Sequence, residues 1–197
     1  MVFSHDEVSQ LDAYFHDTNA ETAYLPGRNC GLRINECYGL KWDHIDLEKG
    51  TILIDRQMQY QEGLIKLVPL KTRNARRTIY MSCALQAYLS DLFAKTERYR
   101  RDLSAQREQN QRFIEDIDGK PISSLNLINT LPNGKIQTVS SMKYHSRIIK
   151  AQLHINFKYH YLRHTYGTRM AELNTPTHLL CNQMGHASSK VTERYYL

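Results

Sequence analysis

His160-Tyr161-Leu162-Arg163-His164 concentrates three cationic or proton-exchanging side chains in one short stretch. A spacing of three places His160 and Arg163 on the same face of a helix, with His164 rotated slightly from them. Two chemistries compete for such a group. His160 and His164 are four apart, which is metal-ligand spacing, but Tyr161 stands where the glutamate of an HExxH motif would be, so zinc hydrolysis lacks its base. The other is a cationic pocket in which Arg163 grips a phosphate and His160 exchanges a proton. Further on, Met184-Gly185-His186 closes an apolar stretch with another histidine, and Tyr195 follows nine residues later. Arg33 lies between Leu32 and Ile34 with Glu36 one turn along, which by itself reads as a structural ion pair at a helix end. Singly, each of these features is met by packing or by an ordinary helix terminus. Their order and spacing together are not.

The surrounding chain has 197 residues, with 26 Lys and Arg against 20 Asp and Glu and a net charge of +6. A modest excess of this kind fits a polyanionic partner. Its location is more informative: Lys71, Arg73, Arg76 and Arg77 crowd one segment and are expected to line a DNA path. Arg98, Arg100, Arg101, Arg107 and Arg112 alternate with Asp102, Glu108, Glu115 and Asp116, which suits a solvated helix face equally well. Cys30, Cys37, Cys83 and Cys181 are scattered without a CxxC pair. They read as reduced thiols acting as small hydrophobes, and a cytoplasmic location is expected. No apolar run approaches membrane-spanning length, Met1 to Asp6 carries no secretion signal, and there is no GxxxxGK[ST] loop for a nucleotide. No cofactor or metal is expected.

The elements that must position these side chains follow from periodicity and capping. Ser4 and Glu7 form a capping box ahead of the stripe Val8, Leu11, Phe15. Pro26, Gly27 and Gly31 predict a broken or looped entry to a second helix over about Leu32 to Leu40. From Thr51 the period shortens: Thr51–Arg56, Leu64–Val68 and Arg77–Met81 predict a three-stranded antiparallel meander. Ser82 reads as the N-cap of a long helix carrying Leu85, Leu89, Leu92 and Phe93, whose far end should project into solvent or fray. Asp118 to Lys135 reads as loop. Helices are expected over Ser141–Leu153, Tyr159–Leu173 and Thr175–Met184, the last with Thr175 as N-cap and Gly185 just past its end. A final short helix should begin at Ser188 or Ser189 and carry Thr192 and Tyr195.

Taken together, these stretches resemble the tyrosine recombinases, especially phage and mobile-element integrases. The resemblance runs from about Phe3 to Tyr195. It rests on Cys30-Gly-Leu-Arg33-Ile-Asn-Glu36, Leu40-Lys-Trp42-Asp-His-Ile-Asp46, Leu70-Lys71-Thr-Arg73 followed by Arg76-Arg77-Thr78-Ile79, His160-Tyr-Leu-Arg163-His164-Thr165, Met184-Gly-His186 and Thr192-Glu-Arg194-Tyr195. It implies an α+β, mainly helical fold: a small three-stranded antiparallel sheet packed on a helical bundle. It also implies one catalytic domain over residues 1–197, without the family's N-terminal core-binding domain and C-terminal tail.

The implied activity is site-specific cutting and rejoining of double-stranded DNA, with protomers assembled as a DNA-bound tetramer and no membrane involved. Arg33 and Arg163 would clamp the scissile phosphate and stabilise the transition state's extra negative charge. Tyr195 would attack phosphorus to give a 3′-phosphotyrosine and a free 5′-hydroxyl. Lys71 would be the general acid for that leaving oxygen, His160 would assist proton transfer at the nucleophile, and His186 would hydrogen-bond a non-bridging oxygen. Glu36 would orient the Arg33 side of the site. A tyrosine with an ordinary pKa of about 10 needs such a cationic setting before it can attack. Two readings stand beside this one: a type IB topoisomerase, which uses the same chemistry to relax DNA, and a non-catalytic DNA-binding remnant. Two departures from the family pattern stand out. Pro26 and Gly27 interrupt a stretch that is usually plain helix, which would displace Arg33, and Tyr161 replaces a frequent acidic residue.

Overall fold

The computed structural model describes residues 1–61, 64–72, 75–105, 113–186, 190 and 192. Helix α1 (His5–Phe15) starts at the expected capping box: Ser4 Oγ accepts from the Glu7 amide and Glu7 Oε2 accepts from the Ser4 amide, at 3.1 and 2.8 Å. Val8, Leu11 and Phe15 are buried, and the Phe15 ring stacks on Tyr24 of α2 (Glu21–Cys30) with centroids 4.3 Å apart.

Helix α2 runs unbroken through Pro26 and Gly27, contrary to the break expected there. Proline removes one donor, that to the Thr22 carbonyl, and tertiary contacts outweigh the loss. The Tyr159 hydroxyl and the Cys37 thiol both donate to the neighbouring Ala23 carbonyl, at 2.7 and 3.2 Å. Tyr24, Pro26 and Gly27 are all buried. Gly31 ends the helix in the left-handed region (φ 64°), where glycine carries no Cβ penalty. Helix α3 (Ile34–Tyr38) is shorter than the Leu32–Leu40 segment expected.

The β region differs from a meander. The strand-forming stretch after Gly50 is interrupted only at Asp55, with Ile52, Ile54, Arg56 and Met58 on its buried side. Its front half, β2 (Thr51–Ile54), pairs with β1 (Ile45–Asp46) and with β5 (Arg77–Tyr80), placing Ile52 opposite Ile79 and Ile54 opposite Arg77. Its rear half, β3 (Arg56–Gln61), pairs with β4 (Leu64–Pro69), and β6 (Phe113–Glu115) and β7 (Pro121–Ser123) extend that second sheet. A three-stranded antiparallel sheet is therefore present, but its third member lies beside the first segment and not beside β4. Neither β4 nor β5 is long enough to pair along the whole of Thr51–Gln61.

A buried ionic network sits at the junction of β2 and β3. Asp116 accepts from Lys41 Nζ at 3.1 Å and from Arg56 Nη1, while Asp55 is paired with Arg56 Nε at 2.7 Å and His44 Nδ1 at 3.2 Å. These partners outweigh the effect of burial and hold the Asp55 and Asp116 carboxyls below the usual carboxylate range.

Helix α4 (Cys83–Ala105) begins at Ser82, whose Oγ accepts from the Leu85 amide at 3.3 Å. Thr96 is buried and Arg100 Nη2 donates to Leu125 O and Asn126 Oδ1 at 3.0 and 3.1 Å, while Arg101 and Asp102 after them are exposed. The segment expected as loop, Asp118 to Lys135, is more ordered than that. Ile128 N–H donates to Leu40 O at 3.1 Å and Asn129 Nδ2 to Cys37 O at 3.0 Å, so this stretch covers the end of α3. Helices α5 (Val139–Gln152), α6 (Tyr159–Glu172) and α7 (Thr177–Met184) match their expected positions closely, with Pro176 in place of Thr175 as the N-cap of α7. No helix among the described residues is long and apolar enough to cross a membrane.

Candidate active site

Arg33 is the residue immediately before α3, and Glu36 reaches back to it. Glu36 Oε2 accepts from the Arg33 amide at 3.0 Å and Oε1 accepts from Arg33 Nη1 at 2.9 Å. The Glu36 side chain is 2% exposed and that of Arg33 43% exposed, so the carboxylate is the buried anchor and the guanidinium the accessible end. Beneath them lies Arg77. Its Nη2 and Nη1 donate to Glu36 Oε2 and Oε1 at 2.9 and 3.2 Å, and its Nε donates to Gln183 O at 2.9 Å. Burial alone would raise the Glu36 pKa, but Arg77 and Arg33 outweigh it and hold the carboxyl below its ordinary value.

Arg163 joins the two ends of the site. It is buried on α6, donating from Nη1 to Gly31 O at 2.7 Å and from Nη2 to Met184 O. These are the last carbonyls of two helices, where the helix dipoles favour a cation. Gly31 precedes Arg33 by two residues and Met184 precedes His186 by two, so one guanidinium aligns both segments. Helix α6 itself is seated on α2 through Tyr159, whose ring lies over Gly27. A Cβ at Gly27 would sit 2.4 Å from Tyr159 Oη.

The histidines share this cationic setting. His160 and His164 meet edge to face with ring centroids 4.5 Å apart. Burial lowers the His160 pKa, and His164, Arg163 and Arg33 lower it further. His186 follows the left-handed Gly185 cap of α7 (φ 63°), and its Nδ1 lies 2.9 Å from Oγ1 of the buried Thr192. Its pKa is pushed down to about 4, by burial first and then by Arg163, Arg33, Arg77 and His164. Both shifts favour the neutral ring, which offers a bound group one N–H donor and one acceptor nitrogen. A groove of about 730 Å³ lined by Asn35, Met58, Tyr60, Val139 and Lys143, among others, contains none of these side chains.

Of the residues singled out from sequence, Arg33, His160, Arg163 and His186 converge on one cluster. Lys71 is exposed on the segment between β4 and β5, and Arg76 is exposed beside it. Arg73, the nucleophile candidate Tyr195, its neighbour Tyr196 and most of the expected last helix lie outside the described residues. Arg77 is a correction. It was expected on a DNA-facing surface, yet its side chain is 5% exposed and bound to Glu36. The strand alternation of β5, which buries Arg77 and Ile79 and exposes Thr78 and Tyr80, was a signal available for this. α2 passes straight through Pro26 and Gly27, so the interruption expected ahead of Arg33 is absent. Tyr161 packs edge-on against Phe3. What sequence reasoning missed is Arg77 as a site component and Arg163 as a link between the Gly31 and Met184 carbonyls.

A model of the phage integrase family matches residues 2–197. The chain is 24% identical to a XerC-like tyrosine recombinase of Caldanaerobacter subterraneus subsp. tengcongensis, over 98% of its own length and 49% of that protein's. It thus spans about half the length of this curated relative. Among solved structures, it is similar to the Tn1549 transposon integrase in complex with a circular intermediate DNA (20% identity, TM-score 0.78, all of this chain and 61% of the other). It is also similar to the XerA recombinase (17% identity, TM-score 0.67, all of this chain and 60% of the other). The family match over nearly every residue, on a fold that gathers Arg33, Arg163, His160 and His186, establishes that the chain belongs to the phage integrase family.

Proposed function

We propose that this chain is the catalytic domain of a site-specific DNA recombinase that cuts and rejoins strands through a 3′-phosphotyrosine at Tyr195. The observation that carries the reading is Arg163 bridging the Gly31 and Met184 carbonyls, which aligns the Arg33 and His186 segments beside the helix that bears His160. In the reaction, Arg33 and Arg163 bind the scissile phosphate and offset the charge of its pentacoordinate transition state. Tyr195 Oη attacks phosphorus, and the P–O5′ bond breaks. Lys71 protonates the departing 5′-oxygen, His160 exchanges the proton at the tyrosine, and neutral His186 hydrogen-bonds a non-bridging oxygen. The released 5′-hydroxyl of a partner strand reverses these steps, so phosphodiester energy is conserved and no nucleotide is consumed. Double-stranded DNA is the substrate, exchange between paired sites requires four protomers on DNA, and the setting is cytoplasmic.

The test is a suicide duplex nicked near the scissile phosphate, in which cleavage releases a short fragment and traps the protein covalently. The wild-type chain should form the adduct in EDTA as in buffer. Tyr195→Phe should abolish it and Tyr196→Phe should retain it. An adduct with Tyr195→Phe but not with Tyr196→Phe would reassign the nucleophile, and binding with no adduct at all would favour the non-catalytic reading.

A further inference from the structure

We propose that Arg77 is a positioning residue for Arg33, acting through Glu36, and that it locks the Arg33 and His186 sides of the cleft together. This rests on the catalytic reading above. The Arg77 side chain is 5% exposed, and Nε, Nη1 and Nη2 all donate within the protein. Its guanidinium fans donors in three directions: to both Glu36 oxygens, to Ala75 O at 2.8 Å from Nη1, and to Gln183 O at 2.9 Å from Nε. The turn that carries His186 rests directly on it, since a Cβ at Gly185 would lie 2.8 Å from Nη1 and 3.0 Å from Cζ. Helix α7 is fastened to the same strand by Gln183, whose side-chain amide accepts from Tyr80 N and donates to Tyr80 O at 3.2 and 3.1 Å.

The consequence for Arg33 follows from charge and geometry. A buried carboxylate facing Arg33 alone would hold it as a bidentate pair and cancel its charge. With Arg77 on Oε2 and sharing Oε1, Glu36 offers the Arg33 side chain a single oxygen, at 2.9 Å from Nη1. Two guanidiniums against one carboxylate leave the group net positive, and Arg33 keeps 43% of its side chain exposed. Arg77 thus tethers Arg33 without neutralising it. A lysine at this position would keep the charge but not the planar fan of donors that reaches Glu36 and Gln183 together.

Two variants separate positioning from simple counter-charge. Arg77→Lys should melt cooperatively and weaken DNA binding no more than Arg33→Ala does, yet form the covalent adduct on the nicked duplex at least ~30-fold more slowly in single turnover. Because misfolding would mimic this, Arg77→Met combined with Glu36→Gln removes both charges of the buried pair, a change such pairs often tolerate. It should fold and show the same slow chemistry. Wild-type rate in either folded variant overturns the proposal, as does failure of both to fold, which would make Arg77 purely structural. A cycle in a Tyr195→Phe background reads the coupling without cleavage. Arg33→Ala should weaken DNA binding markedly when Arg77 is present and much less when it is Lys, and equal losses in both would refute the link. A wild-type chain that binds DNA but forms no adduct would sink the catalytic reading while this cycle still decides the coupling.

Discussion

The hydroxyl of Tyr159 lies where a side chain at position 27 would begin: a Cβ on Gly27 would sit 2.4 Å from Tyr159 Oη and 2.6 Å from Cζ. The spacing between α2 and α6 is therefore set by a missing methyl group, and with it the approach of His160 and Arg163 to the segment bearing Arg33. Gly27→Ala raises intrinsic helix propensity. Even so, the overpacking should cost about 1–3 kcal/mol and lower Tm by several degrees. Thermal melts check the sign; a variant as stable as wild type would mean that α6 can move off α2 freely.

His186 predicts an acid-side loss of stability. Its folded pKa is depressed to about 4 from the ordinary histidine value of 6.5. Above pH 6.5 the ring is neutral in both folded and unfolded chains and contributes no pH dependence. As pH falls from 6.5 towards 4 the unfolded chain takes up a proton that the folded one refuses, so stability drops across that window. His160, shifted in the same direction, adds to the loss. Urea midpoints measured from pH 7 to pH 4.5 should fall, and His186→Asn should flatten the slope. An unchanged slope would show that the ring is not held neutral.

Asp116 should be among the costliest single residues outside the active site. It neutralises both Lys41 and Arg56, which are themselves buried. Asp116→Ala leaves Arg56 with Asp55 alone and Lys41 with only the exposed Asp43, at 3.6 Å, and should destabilise by about 1.5–3 kcal/mol. Denaturant unfolding measures this directly, and a loss below about 1 kcal/mol would mean that water or backbone relaxes into the network.

Arg76 and Arg77, adjacent in sequence, should behave differently on DNA. Arg76 is exposed and Arg77 is paired with Glu36. Arg76→Ala should weaken binding to all duplexes about equally and reduce the slope of log K against log salt by about one. Arg77→Lys should leave that slope unchanged. Identical salt slopes for Arg76→Ala and wild type would mean that Arg76 meets no phosphate.

Much of this protein was legible before any coordinates. Ser4 and Glu7 announce α1, the stripe of Val8, Leu11 and Phe15 gives its buried face, and Gly185 marks the end of α7, because caps and periodicity act over a few residues. The order of Arg33, Lys71, His160, Arg163, His186 and Tyr195 pointed to a family and to its chemistry. Local rules could not say which elements touch. The shortened period marked three strand segments, but not that β5 pairs with β2 while β4 pairs with β3. That choice involves partners far apart in sequence, among them Asp55 and Arg56 meeting His44 and Asp116.

The same distinction explains the site. Pro26 and Gly27 read locally as a break, and Arg77 read as one more surface cation, because propensity and charge count carry no information about long-range partners. Tertiary packing reversed both readings: Tyr159 needs a glycine beneath it, and the buried carboxylate of Glu36 needs a second cation. Residue types and their order along the chain determined what chemistry was available. Only the fold, through the bonds from Arg163 to Gly31 and Met184 and from Arg77 to Glu36 and Gln183, decided which of those side chains share one electrostatic environment.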